Sequence, residues 1–261
     1  MAPYDIRPRR RSHPLRRRNG VRVTRTAWPV LPMQPSLPEL APGARERLAR
    51  LVRLLLHENR RVNLTGARSE DDLWSRHVAD SLALLAVLPP GAGTRLLDLG
   101  SGGGLPGLPL ACVRPDLHVT LLDATRKKVD AVRRIVAELN LANVAALVGR
   151  AETVAHDPAQ RERYDVVTAR AVAALPLLIE YAAGFLRVGG TAWFYKTARA
   201  LETELAEATN AARICRLTYI SARPHGQPGE RGGCVLVAYR KDSSLDRGLP
   251  RAPGHAKKRP L

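Results

Sequence analysis

The sequence predicts an α/β fold: a mainly parallel, doubly wound sheet with an antiparallel pair at one edge and a helical cap ahead of it. Three observations carry this. Between residues 95 and 196, short apolar runs alternate with helical patterns. The runs are continuous rather than alternating, as expected of strands buried on both faces of a parallel sheet. The last two runs, 214–221 and 233–239, are joined only by a short glycine-rich link, which suits an antiparallel pair.

In chain order, "GARERLARLVRLLLHENRR" (43–61) places Leu48, Leu51, Val52, Leu55 and Leu56 at helical spacing. "NLTG" (63–66) breaks that helix. Ser69, with Asp72 three residues on, reads as the N-cap of a second helix running to about Leu88, where Pro89, Pro90 and Gly91 end it. The strands are "RLLDLG" (95–100), "HVTLLD" (118–123), "VAALVG" (144–149), "YDVVTA" (164–169) and "GGTAWFYK" (189–196). Helices are expected after Pro106 and over 127–140, 175–186 and 198–212. This divides the chain into a leader (1–34), a helical cap (35–92), the α/β domain (93–240) and a tail (241–261).

The net charge of +18 is concentrated at the ends. Residues 1–32 hold nine arginines and one acid, and residues 240–261 hold seven basic and two acidic side chains. Both ends are Pro-rich and poor in apolar residues, so both are expected to be disordered. Met33 stands just before the first helical pattern, so the leader also fits sequence upstream of the true start. Basic tails of this kind suit a polyanionic partner, RNA or DNA. Cys112, Cys215 and Cys234 are widely spaced, with no CxxC pair, which suggests neither a disulfide framework nor a zinc site. No apolar stretch approaches the roughly 18 residues of a membrane span. A cytoplasmic monomer without a metal is expected.

Four glycines, Gly100, Gly102, Gly103 and Gly104, stand at the exit of the first strand. Glycine there costs backbone entropy and contributes no packing, so a tight turn or a close ligand must require it. Gly102, Gly104 and Gly107 match G-x-G-x-x-G, the dinucleotide fingerprint. Asp98, Gly100, Gly102 and Gly104 match D-x-G-x-G-x-G, the first motif of S-adenosylmethionine-dependent methyltransferases. Three features favour the second. Asp98 inside the strand suits an ammonium group and not a pyrophosphate. Pro106 falls where a dinucleotide turn needs a free amide. The edge pair after the fifth parallel strand suits a methyltransferase sheet. Asp123 fits either class, since an acid at that strand end binds ribose hydroxyls.

"NLTG", "RHVADS" (76–81), "DLGSGGGLPGLPLA" (98–111), "LLDATRKKVDAVR" (121–133), "GRAET" (149–153) and "TARAVA" (168–173) occur in that order. Together they resemble the RsmG (GidB) family of bacterial 16S rRNA guanine-N7 methyltransferases, over about residues 40–240. "LPRAPGHAKKRPL" resembles the basic ending of many members. The resemblance implies a class I, Rossmann-like methyltransferase fold, S-adenosylmethionine as methyl donor, and 16S rRNA or the small ribosomal subunit as substrate. It further implies cofactor contacts at Gly100 and Leu105, beside Gly102 of the motif. Others fall at Asp123, Ala124 and Thr125, at Ala151 and Glu152 flanking the adenine, and at Arg170. Glycine at 103 and Thr197 after Lys196 depart from the family pattern.

No catalytic side chain is assigned. "TARAVA" lacks the Asn/Asp–Pro–Pro–aromatic set used on exocyclic amines, and no cysteine lies there for pyrimidine C5 chemistry. Guanine N7 carries a free lone pair, so alignment and exclusion of water suffice. His77 and Ser81 share one helix face; Arg76 and Asp80 are spaced for an i,i+4 ion pair, and the motif is read as pinning the cap to the sheet, ahead of a direct role in placing the guanine. Arg170 is read as reaching the cofactor or RNA, or as pairing with a neighbouring acid. Aromatics make up only 4% of the chain, so no stacking platform is evident. Trp193, Phe194 and Tyr195 read as core, Trp74 remains a candidate for stacking, and Arg60, Arg61, Arg68, Arg126, Lys127 and Lys128 could line a phosphate-binding surface.

Overall fold

Helix α1 (Pro42–Asn59) opens on a proline, whose missing amide proton costs nothing in a first turn. It buries Leu48, Leu51 and Leu55 completely. The computed structural model describes residues 40–89, 91–225 and 233–261; the predicted leader, 1–34, lies outside them. Asn59 ends α1 and folds the NLTG loop back: its Oδ1 accepts from Leu64 N (2.7 Å) and Thr65 N (3.0 Å), and its Nδ2 donates to Thr65 O (2.9 Å).

The Ser69 cap forms as expected, with its Oγ accepting from Asp72 N at 3.1 Å. The single helix predicted over 69–88 does not. It is broken into α2 (Glu70–Leu73), a π-helical turn (Trp74–Val78), α3 (Ala79–Leu82) and a 3-10 turn (Ala83–Ala86). A π turn inserts extra backbone into the helical register and rotates the residues after it. The predicted Arg76–Asp80 pair is therefore absent. Arg76 Nη1 meets Asp72 Oδ1 instead, at 2.9 Å, and Asp80 turns toward the sheet.

The sheet comprises β1 (Arg95–Leu99), β2 (His118–Asp123), β3 (Val144–Val148), β4 (Tyr164–Arg170), β5 (Leu186–Thr197), β6 (Leu217–His225) and β7 (Cys234–Lys241). Its order is β3-β2-β1-β4-β5-β7-β6. The first five strands in that order are parallel; β7 is antiparallel to both β5 and β6. The helices that succeed the strands are α4 (Gly107–Val113), α5 (Arg126–Glu138), α6 (Ala151–Val154), α7 (Leu175–Phe185) and α8 (Ala198–Ile214).

Side chains alternate between the faces, so neighbouring strand residues enter different cores. Leu96, Val166, Trp193 and Tyr195 pack with α1, α4, α5 and the cap helices. Leu97, Val167 and Phe194 pack with α7 and α8. The cap thus shares one core with the sheet, and Glu58 of α1 bonds Arg134 of α5 through both carboxylate oxygens (2.6 and 3.2 Å). Trp193–Tyr195 are core residues, as expected. No helix among the described residues is long and apolar enough to cross a membrane.

Composition predicts a disordered tail over 241–261; the segment is docked. Lys241 is fully buried, and its Nζ donates to Glu162 Oε1 (2.6 Å), Ala183 O (2.6 Å) and Leu186 O (2.9 Å). Arg161 donates to the carbonyls of Leu245, Asp246 and Leu249. Arg251 forms a two-pronged pair with Glu180, which is 1% exposed. A final short helix, α9 (His255–Lys258), buries Ala256. Composition counts only the tail's own apolar residues; the partners that order it lie 55 to 102 residues away in sequence.

Candidate active site

Parallel register brings the carboxyl ends of β1 to β4 side by side: Asp98 is level with Leu121 and Thr168, and Asp123 with Val148. The crevice outside such ends is where doubly wound sheets bind ligands. The glycine turn leaves β1 clipped to β2, with Gly100 N and Ser101 N both donating to Leu122 O (2.8 and 3.0 Å). Gly102 N then donates to Asp123 Oδ2 at 2.9 Å, and Thr125 N to Asp123 Oδ1 at 2.7 Å. Asp123 therefore ties the turn after β1 to the loop after β2, and each oxygen retains a second lone pair for a ligand hydroxyl.

The glycines divide by what a side chain would meet. At Gly100 (φ +70°) a Cβ would sit 2.6 Å from Val172; at Gly104 (φ +82°), 2.5 Å from Leu108; at Gly107, 2.3 Å from Leu121. At Gly103 it would lie 3.1 Å from Leu64 of the NLTG loop, so in this chain the cap packs directly on that bare position. Gly102 (φ +55°) alone among them has nothing within 4 Å. Open space therefore begins at Gly102.

Asp98 is completely buried. Its Oδ2 accepts from Gly107 N at 2.8 Å, while no described residue donates to Oδ1. Burial pushes its carboxyl up from the usual 3.8 to about 7. The unfolded chain releases this proton near pH 3.8 and the folded one holds it to about 7, so the group's contribution to stability is lost as pH rises between those values. Asp98→Asn should remove that slope. The check is the variant-minus-wild-type unfolding free energy from denaturant titrations between pH 4 and 8, expected to rise with pH; a flat difference contradicts it.

Arg170 leaves the end of β4 and enters the cap. Its Nε pairs with Asp80 Oδ2 (3.2 Å), Nη1 donates to His77 O (3.2 Å), and Nη2 donates to His77 Nδ1 (2.6 Å). The ion pair to a neighbouring acid, one of the readings of Arg170, is formed. A guanidinium can only donate, so His77 Nδ1 accepts and Nε2 carries the proton, 3.3 Å from Thr65 Oγ1. Burial, then the charge of Arg170, hold the His77 pKa down. His77 is thus neutral with its lone pair engaged, and "RHVADS" pins cap to sheet as read from the sequence.

The other predicted residues separate. Leu105 is half-buried beside the turn, while Ala124 and Thr125 are exposed beyond Asp123. Ala151 is half-buried at the start of α6, whose N-cap Arg150 supplies no side-chain cap. Glu152, expected to flank an adenine with its side chain, is 5% exposed and turned inward: its Oε1 accepts from Tyr181 OH (3.0 Å) and Gly254 N (3.4 Å). Arg60, Arg61, Arg68, Arg126 and Lys127 are exposed; Lys128 is half-buried. Two residues escape sequence reading. Asp80 takes a different arginine from the one its spacing suggests. Glu204 accepts from Leu175 N and Lys196 Nζ, both at 2.6 Å, holding the segment after Arg170; no local pattern signals a partner 29 residues on.

The GidB family, described as rRNA small subunit methyltransferase G, matches residues 44–227. The chain is 41% identical over 216 residues to the ribosomal RNA small subunit methyltransferase G of Deinococcus radiodurans, covering 83% of this chain and 85% of that one. It is 40% identical to the protein of the same name from Roseiflexus castenholzii, covering 83% and 91%, and 40% identical to that of Rubrobacter xylanophilus, covering 84% and 85%. Among solved structures, the YcgJ protein of Bacillus subtilis aligns with a TM-score of 0.50 at 15% identity, covering 64% of this chain and all of that one, a likeness of fold. The sheet and its flanking helices are those of the class I, Rossmann-like methyltransferases, and this chain belongs to the GidB family of rRNA small subunit methyltransferases.

Proposed function

We propose that this chain transfers the methyl group of S-adenosylmethionine to N7 of a guanine in 16S rRNA, in the cytoplasm and as a single chain. Family membership supports the methyl transfer and the ribosomal RNA. The observation that carries the cofactor is the turn itself: of its glycines, Gly102 alone has no atom near the place of a Cβ, and its amide sits on Asp123. The residues present fit the donor. Asp123 would accept from the ribose hydroxyls, the 151–152 backbone would border the adenine, and Gly102 would leave room for the methionyl end. Asp98 Oδ1, a buried acceptor with no donor among the described residues, suits a cationic amine nearby.

S-adenosylmethionine supplies an electrophilic methyl on a sulfonium. The protein's task is then to bind, orient and exclude water. N7 of guanine needs no proton removed before it attacks. Among the described residues, neither His77 nor Tyr195 is placed to act as a base: the lone pair of His77 is held by Arg170, and burial pushes the Tyr195 phenol, bonded to Ser81 O, well above its usual value. Arg170, Asp80 and His77 hold the cap against the pocket mouth as positioning residues. The test is transfer of labelled methyl to 16S rRNA, as naked RNA and as small-subunit particles, followed by mapping. One N7-methylguanine is expected; label on another base or position overturns the specificity.

A further inference from the structure

The docked tail uses some of its cations and leaves others bare. Residues 247–261 contain Arg247, Arg251, Lys257, Lys258 and Arg259 and no acid. Arg251 is engaged by Glu180. His255, Lys257, Lys258 and Arg259 are exposed on and beside α9. Arg251, His255, Lys258 and Arg259 together line a concavity of about 320 Å³ whose wall includes no carboxylate. The two acids nearest to this wall by bonding are already engaged: Glu180 with Arg251, and Glu152 with Tyr181 and Gly254 N. That last bond fixes α9 beside α6, which succeeds β3 at the rim of the crevice.

Exposed, ordered cations on and beside α9, whose neighbouring acids are already engaged, leave an unbalanced positive potential on this surface. A polyanion satisfies it. We infer that α9 and Arg259 form a phosphate-binding surface that takes the backbone of the RNA strand flanking the target nucleotide. This rests on the reading of the substrate as ribosomal RNA, and it assigns part of the grip to a segment that composition alone leaves unfolded. Such contacts position a strand without reading its bases. Each neutralised phosphate adds to the salt dependence of binding by about 0.7 in the log–log slope for single strands.

The experiment uses the full chain carrying Lys257→Ala, Lys258→Ala and Arg259→Ala, with Arg251 intact so that the segment stays docked. Binding to 16S rRNA is measured over a salt series, alongside methyl transfer, S-adenosylmethionine affinity and thermal melting. The expected result is a log–log slope smaller by about 2, with rRNA affinity about tenfold weaker near 0.15 M salt. Cofactor affinity and melting temperature should not change. Replacing the three residues by Arg, Arg and Lys should restore the slope. An unchanged slope, or a loss that does not depend on salt, overturns the proposal. Failure of the wild-type chain to methylate any rRNA would instead sink the substrate reading; the slope measurement needs no turnover, so the two failures are separable.

Discussion

Gly102→Ala is expected to weaken S-adenosylmethionine binding by about 10- to 100-fold while leaving the protein folded. The methyl group meets no protein atom within 4 Å, so it introduces no internal clash. It projects into the space the donor is proposed to fill, and overpacking of that kind costs about 1–3 kcal/mol. The folded state loses about 1–2 kcal/mol, because φ at this position is +55°. Gly104→Ala provides the contrast. Its Cβ would lie 2.5 Å from Leu108, so stability should fall with or without ligand. Calorimetric titration of the donor and thermal melts of both variants separate the roles. Equal binding losses in the two, tracking stability, would mean that the turn is only structural. Asp123→Ala should show the complementary effect. It removes a charged acceptor from the ribose position and the partner of Gly102 N and Thr125 N, for a further loss of about 10-fold or more.

Arg251→Ala is expected to cost about 3–5 kcal/mol of stability, a fall of about 6–20 °C in Tm. The reason is the partner left behind. Glu180 is 1% exposed, and Arg251 supplies three of its hydrogen bonds, two from the guanidinium (2.9 and 2.6 Å) and one from its backbone amide (2.8 Å). Without the guanidinium a buried carboxylate faces an apolar core. The double variant Glu180→Leu, Arg251→Met should recover most of the loss, since it buries no charge. A small effect of Arg251→Ala, or no recovery in the double variant, would contradict the account of a docked C-terminal segment.

Locality decides how much of this fold and site is legible in the sequence. The parallel strands are readable because each is a continuous apolar run, and Leu96–Leu97 or Val166–Val167 must be apolar on both sides when neighbours enter opposite cores. Ser69 is readable because its bonding partner is three residues away. The position of the glycine turn is a local motif. Which glycine opens the pocket is not, since Val172, Leu121 and Leu64 help decide it from elsewhere in the chain. Likewise Arg170 and Asp80 meet across the fold only because a π turn re-aims Asp80, and no residue pattern in 74–78 announces that turn. The tail misleads for the same reason: its stabilising acids, Glu162 and Glu180, belong to distant elements. The inward turn of Glu152 depends on Tyr181 and Gly254, equally remote.

The most direct measurement is single-turnover methyl transfer from labelled S-adenosylmethionine to purified small-subunit RNA, comparing wild type with Gly102→Ala at saturating RNA and limiting donor. The wild-type chain should place label on one guanine N7, and the variant should recover toward that yield as donor is raised. A wild-type chain that neither retains the donor nor labels the RNA, with the glycine variant indistinguishable from it, would contradict the account.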